Sequence, residues 1–318
     1  MALVSTNFVQ SVIDYQLPSF ERELNLLNLL RGSSASQKMT ELVLAHGPAG
    51  GFAASVVMPQ FQSSTAVAST ASLVSSYPHS EATLVYSELT DTSVTFAVNR
   101  MASHQFFVGD ANQKSHVLGT GLVEIGVEKS LQACHQQIAE QAFTAMYNSG
   151  TFLSGTAATG ADFTLTITST ATLQAGFAAI QQGLDAQNAP SGPGDRWLVL
   201  NTSARGLINK WGSNPMFEAT FGGSNSVITG QIAQYNGFNV LFDNSVTAGQ
   251  GIAFSPSMFA LSTPIGPQIQ LLQDKDQNGD YCRIRYYYGF APLGPTSTAY
   301  AGNAIAGQKQ GILRITQT

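Results

Sequence analysis

The most regular hydrophobic spacing in the chain runs from about Val123 to Asn148, where Val127, Leu131, Cys134, Ile138, Ala142 and Ala145 recur at three- and four-residue intervals. That period puts them on one helical face, with Glu128, Gln132, Gln136 and Glu140 on other faces and Gly150 closing the end. At about 1.5 Å per residue the pattern predicts a helix that spans much of a domain. A shorter helix is predicted in "FERELNLLNLLRG", after Ser19 as N-cap and before Gly32. It is too short to persist unless it docks on something.

Elsewhere the period falls towards two. "ATLVYSEL" and "SVTFAVNRMASHQFFVGD", over residues 82 to 110, are rich in β-branched and aromatic residues, with "TDT" as a turn between the runs. This reads as a long β-excursion. The stretch before it, Gly47 to about Ser76, is rich in Gly, Ala, Ser and Thr with Pro59 inside, and is expected to be extended or irregular. After the long helix come an alternating strand "DFTLTITS", a helix from Thr170 to Asn188, a turn in "NAPSGPGD", a buried strand "RWLVLN" and a helix "TSARGLINKW" capped by Thr202 or Ser203. Strands are expected in "GFNVLFDN" and "GIAFSPSMFALSTP", and the chain closes on "GILRIT". No internal repeat is visible.

"DKDQNGDYCRIRYYYGF", from 274 to 290, begins like a calcium loop, with Asp274, Asp276, Asn278 and Gly279 at the required places. Its twelfth position is Arg285, where such a site needs a bidentate carboxylate. The flanking "QIQLLQ" and "YCRIRYYY" alternate as strands and Asn-Gly suits a tight turn, so a β-hairpin is predicted.

Only 10% of the 318 residues are charged and 43% are hydrophobic, against about a quarter charged in an average domain. So little ionic surface hints that much of it is covered by other chains. A net charge of −5 and the lack of any Lys or Arg run argue against a nucleic-acid-binding groove. Cys134 and Cys282 form no metal-ligand spacing, and a reducing compartment is the simplest reading. The start lacks the pattern of a secretory signal and no apolar run reaches bilayer length, so a soluble cytoplasmic product without membrane contact is expected.

No catalytic constellation is found: no H-E-x-x-H, C-x-x-C pair or G-x-S-x-G. "GDANQKS" at 109 to 115 lacks the glycine before Lys114 that a phosphate loop needs, and His46, His79, His104, His116 and His135 share no metal spacing. Asn201-Thr202-Ser203 matches a glycosylation pattern but serves equally as a helix cap. Arg283 and Arg285 point the same way from one strand, as an anion site or as partners in ion pairs across a sheet or interface. No catalytic residue, cofactor or metal ligand is assigned, and a non-enzyme is expected.

In order and spacing these elements resemble the major capsid proteins of tailed bacteriophages with the Hong Kong 97 fold, an α+β fold. "SVTFAVNRMASHQFFVGD" running into "GVEKSLQACHQQIAEQAFTAMYN" resembles the returning strand of the family's extended loop and its spine helix. "DRWLVLNTSARGLINK" resembles a strand and helix of the axial domain, "GQIAQYNGFNVLFDNSV" and "GIAFSPSMFAL" are similar to the strands and turns after it, and "YCRIRYYYGFAP" resembles the late strand of the peripheral domain.

The resemblance implies an N-terminal arm over 1–45, an extended β-loop region over 46–115, a peripheral domain with the spine helix over 116–168, an axial domain over 169–262, and a return to the peripheral domain over 263–318. It implies a structural protein that assembles with itself into hexamers and pentamers of an icosahedral head around double-stranded DNA, without sequence-specific binding. The expected location is the virion capsid, after the host cytoplasm. Scaffolding, portal and cement proteins are implied partners. Candidate subunit-interface residues are Leu24, Leu27, Tyr86, Phe96, Arg100, Phe106, Phe107, Arg283 and Arg285. Some relatives weld subunits by a Lys–Asn isopeptide bond, but no lysine lies between Lys38 and Lys114, so no cross-link is expected. The rival readings are an encapsulin-type nanocompartment shell, a secreted calcium-binding β-rich adhesin or hydrolase, and a tail or baseplate protein.

Overall fold

The computed structural model describes residues 24–46, 55–61, 91–110, 121–151, 161–187, 189–192, 194–211, 234–235, 237–274, 278–294 and 309–318. Its organising element is helix α3 (Gly121–Ser149), which follows α1 (Asn25–Gly32), α2 (Ser34–His46), β1 (Ser55–Phe61), β2 (Asp91–Ala97) and β3 (Arg100–Gly109). Then come β4 (Phe163–Leu165), α4 (Thr170–Ala186), β5 (Trp197–Asn201), α5 (Ser203–Trp211), β6 (Gln234–Tyr235), β7 (Phe238–Asp243), β8 (Gln250–Phe254), β9 (Phe259–Ser262), β10 (Gln268–Asp274), β11 (Gly279–Pro292) and β12 (Ile312–Gln317).

The predicted stripe on α3 is apolar and covered: Cys134, Ile138 and Ala142 are fully buried, and Val127, Leu131 and Ala145 pack against the same core. Ala139, Phe143, Met146 and Tyr147 are buried too, because the helix has sheets on more than one side. One is a four-stranded sheet, β10-β11-β3, with β9 pairing the far end of β11. The other is a six-stranded sheet in the order β4-β12-β8-β5-β7-β6. Strand β5 shows why the second sheet reads as continuously hydrophobic. Leu198 and Leu200 face a core with α4 and α5, while Val199 faces the core of α3 and α1.

Helix α4 opens with the capping box made by Ser169 and Thr172. The turn after it is tied by the buried Arg196, which donates to the carbonyls of Pro190 and Ala189 and pairs with Asp185 at 2.6 Å. Ahead of α5, Asn201 Oδ1 accepts the Ser203 N–H, while the Thr202 hydroxyl donates to Asn244.

One expectation is corrected. Asp91 and Thr92 lie inside β2, which pairs with β1, so "TDT" is not the turn; the earlier run "ATLVYSEL" lies outside the described residues. Strand β3 pairs with β11 in the four-stranded sheet. Strands β4 and β12 pair in parallel inside the six-stranded sheet, and their side chains Phe163, Leu165, Leu313 and Ile315 complete the core of α4. Helix α2 was not read from the sequence at all. Over residues 24–46 the chain forms a helix pair docked on its own core through Leu26, Leu27, Leu30, Met39 and Val43.

Candidate assembly surfaces

The hairpin expected around Asn278 and Gly279 is present. Strands β10 and β11 pair antiparallel from Gln268↔Arg285 to Asp274↔Gly279, and Asn278 adopts a φ of 47°, the left-handed conformation that a tight turn requires. Residues 275–277 lie outside the described residues.

Strand alternation divides the four-stranded sheet into two faces. The inner face carries Cys282, Ile284 and Tyr288 from β11 and Ala102 from β3, all buried against the α3 core. His104, also inward, meets Ser130 of α3 at 2.8 Å, and Tyr288 donates to Gln141 at 2.6 Å. The outer face carries Tyr281, Arg283, Arg285 and Tyr287, opposite Phe107, Gln105, Ser103 and Met101. At one end Tyr287 packs against the cluster of Met39, Val43 and Phe96, while the rest of the face is more open. Met101 is 47% exposed, Phe107 40% and Leu272 51%. Around the arginines lies an open depression of about 500 Å³ lined by Met101, Ser103, His104, Gln105, Arg283 and Arg285.

A second open feature is the edge strand β10. Ile269 and Leu271 share the inner face with Ile284 and Cys282, yet they are 46% and 57% exposed, because α3 does not reach this edge. A third is the β1–β2 sheet, which is two-stranded among the described residues. Its root is fixed where Phe96 and Val98 meet Met39, Val43, Ala260 and Ala291.

These positions sort the candidate interface residues. Leu27 and Phe96 are buried within the subunit. Leu24 and Phe106 pack against the chain's own main core. Arg100 is exposed but engaged, its guanidinium 4.3 Å from the Phe290 ring and donating to Gln141 at 3.2 Å. Phe107, Arg283 and Arg285 share the open outer face, and Tyr86 lies outside the described residues. Leu272, Met101, Ile269 and Leu271 were not singled out in the sequence. For Ile269, Leu271 and Leu272 the signal was the uncharged run "QIQLLQ", legible as a strand but not as an edge.

The two thiols are interior. Cys134 and Cys282 are free and buried, and burial pushes both above the usual thiol range.

A family model described as phage capsid protein matches residues 118–301, more than half of the chain. The chain belongs to the phage capsid protein family. No curated protein matches the sequence. Among solved structures, one from Mycobacterium phage Che8 aligns with a TM-score of 0.56 at 18% identity, over 82% of this chain and 84% of that one. The capsid structure of the cyanophage P-SCSP1u aligns at 0.54 and 13% identity, over 83% of both chains. The mature capsid of bacteriophage PhiM1 aligns at 0.53 and 10% identity, over 83% of this chain and 82% of that one. The fold of this capsid protein is therefore the α+β Hong Kong 97 type, and the chain is a structural major capsid protein of a tailed phage. As a capsid protein it builds a shell from copies of itself, and its place is the virion.

Proposed function

We propose that this capsid protein closes an icosahedral head of hexamers and pentamers around double-stranded DNA, using the outer face of the four-stranded sheet and the β1–β2 excursion as its contacts between subunits. The observation that carries this reading is the outer face itself: a sheet packed on one side, with Phe107, Met101, Leu272, Arg283 and Arg285 left open on the other. Aromatic residues, Met and Arg are the side chains enriched at the cores of protein interfaces. A two-stranded ribbon is marginal by itself, so β1 and β2 also call for a supporting surface beyond their root. Many such contacts, each weak, give a closed shell its collective stability.

In this reading the α3 sheet unit is the peripheral domain and the six-stranded sheet with α4 and α5 is the axial domain, around which copies gather. A net charge of −5 keeps the subunit from adhering to the packaged DNA. Scaffolding and portal proteins direct closure, and with no lysine between Lys38 and Lys114 the shell is held without a cross-link from that segment, a cement protein adding contacts.

Electron microscopy and sedimentation of the chain, expressed alone and then with its neighbouring genes, test the reading. Closed shells tens of nanometres across are the expected result. Monomers under both conditions would overturn it.

A further inference from the structure

Strand β10 ends the four-stranded sheet, with β11 on one side and no strand on the other among the described residues. Its register with β11 runs unbroken from Gln268↔Arg285 to Asp274↔Gly279, so no bulge turns the edge away. Every residue from 268 to 272 is exposed, and three of the five are large and apolar: Ile269, Leu271 and Leu272. From 268 to 273 there is neither a charge nor a proline. Sheet proteins ordinarily guard an open edge with a lysine, a proline, a bulge or a very short strand, because its free N–H and C=O groups are a template for another strand. Residues 268–273 carry none of these devices.

The side-chain pattern selects the occupant. A two-fold contact brings the same patch of each copy together, and in an antiparallel pair directly opposite side chains lie on one face. With the two-fold centred on Gln270, Ile269 of each copy stands opposite Leu271 of the other. Four apolar side chains then close into one patch beside Ile284 and Cys282, continuing the buried face of the sheet past the end of α3. On the other face Leu272 of each copy meets Gln268 of the other. No charge opposes the meeting, since the strand has none, and Arg283 and Arg285 lie one strand back. Two copies of β11 would be separated by three strand spacings, roughly 14 Å, beyond the screening length of about 8 Å. As a capsid protein the chain is surrounded by copies of itself.

We propose that β10 is a homotypic assembly edge, pairing antiparallel with β10 of a second copy about a two-fold at Gln270 and joining two four-stranded sheets into one. This rests on the shell reading and adds to it a contact that neither the outer face nor the β1–β2 excursion makes. A pairing of six residues falls well short of the roughly 1,200 Å² that a stable pair of proteins buries. Free subunits therefore stay apart at this edge, and the pairing takes hold where a shell repeats it.

Two experiments on the full chain test the edge. In Q270C shells the introduced thiols face each other across the two-fold, within disulfide reach, while Cys134 and Cys282 are buried. Mild oxidation of these shells is expected to give disulfide-linked dimers on a non-reducing gel, and wild-type shells none. The I269K/L271K chain alters exposed positions, so it is expected to keep the wild-type circular dichroism spectrum and thermal midpoint. Because like charges then meet across the edge, its shell yield is expected to fall roughly tenfold or more. Mixing I269K/L271K subunits with I269E/L271E subunits is expected to restore shells that neither forms alone. Q270C shells that give no dimers on oxidation would overturn the pairing while leaving the shell reading intact. Loss of shells in I269K/L271K with no rescue on mixing would also overturn it, by assigning the edge to a different protein. If the unaltered chain forms no shells, the shell reading fails and the pairing with it.

Discussion

The carboxylate of Asp243, at the end of β7, accepts the backbone N–H of Leu26 at 2.6 Å, joining positions 217 residues apart. Helix α1 has no cap of its own, since Leu24 occupies the N-cap position and offers no side-chain acceptor. Its orphan donor is satisfied by tertiary contact, and Asn25 adds a hydrogen bond to the Phe242 carbonyl at 2.9 Å. Asp243 is fully buried and also accepts the Ser245 N–H at 2.6 Å and the Ser245 hydroxyl.

Replacing Asp243 by Ala leaves those buried donors without an acceptor, at an expected loss of about 1–3 kcal/mol. Hydrogen exchange should show the consequence first in residues 25–32, with the middle of α3 still protected. Equal loss of protection in both would mean that α1 and α3 open together.

Gly289 sits where β11 passes the root of the excursion, and a Cβ there would strike the Ala97 carbonyl and the Val98 backbone. Those atoms are main chain and cannot rotate away. Gly289→Ala is therefore expected to cost about 1–3 kcal/mol and to raise proteolysis around β1 and β2. Chemical denaturation and limited digestion on the same sample check both.

His135 lies edge-on to the Tyr286 ring, with the guanidinium of Arg31 on the same ring. Burial first, and the charge of Arg31 second, hold its imidazole below the usual histidine range. The unfolded chain thus binds this proton more readily than the folded one, so stability is fully present above the ordinary value of about 6.5 and falls as pH drops through the lower folded value. Denaturant midpoints between pH 7.5 and pH 5 should decline, and less so in His135→Phe, which keeps the ring contact without the titration.

Cys134 and Cys282 should resist thiol reagents in the folded subunit at pH 8, because burial both blocks access and suppresses the thiolate. Labelling should proceed at the rate of a free thiol only after denaturation. Rapid reaction of either residue in the native protein would show that the α3 sheet interface opens.

Arg196 fastens the turn between α4 and β5 through Asp185 and the carbonyls of Pro190 and Ala189. Truncation to Ala removes charge-assisted hydrogen bonds from a buried position, with an expected loss of about 1.5–3 kcal/mol. A thermal melt measures it, and Arg196→Lys should recover only part, since a single ammonium cannot reproduce the fork.

Local pattern determined what needed only neighbours in sequence: the long α3 stripe, the Ser169-led α4, the buried β5 and the turn at Asn278. The order of these pieces made the capsid family legible too. Tertiary structure decided which elements share a core. Helix α2 has a weak stripe and gains its place from Phe96, Val98 and Ala260. Strand β12 carries an apolar pattern that fits either sheet, and pairing with β4 and β8 selected one. Leu27 and Phe96 illustrate the same limit, because a hydrophobic residue reads alike whether it meets its own chain or another. Periodicity specifies that a face will be buried. What buries it depends on contacts far apart in sequence, and that is why the open face around Arg283 and Arg285 emerges only from the folded sheet.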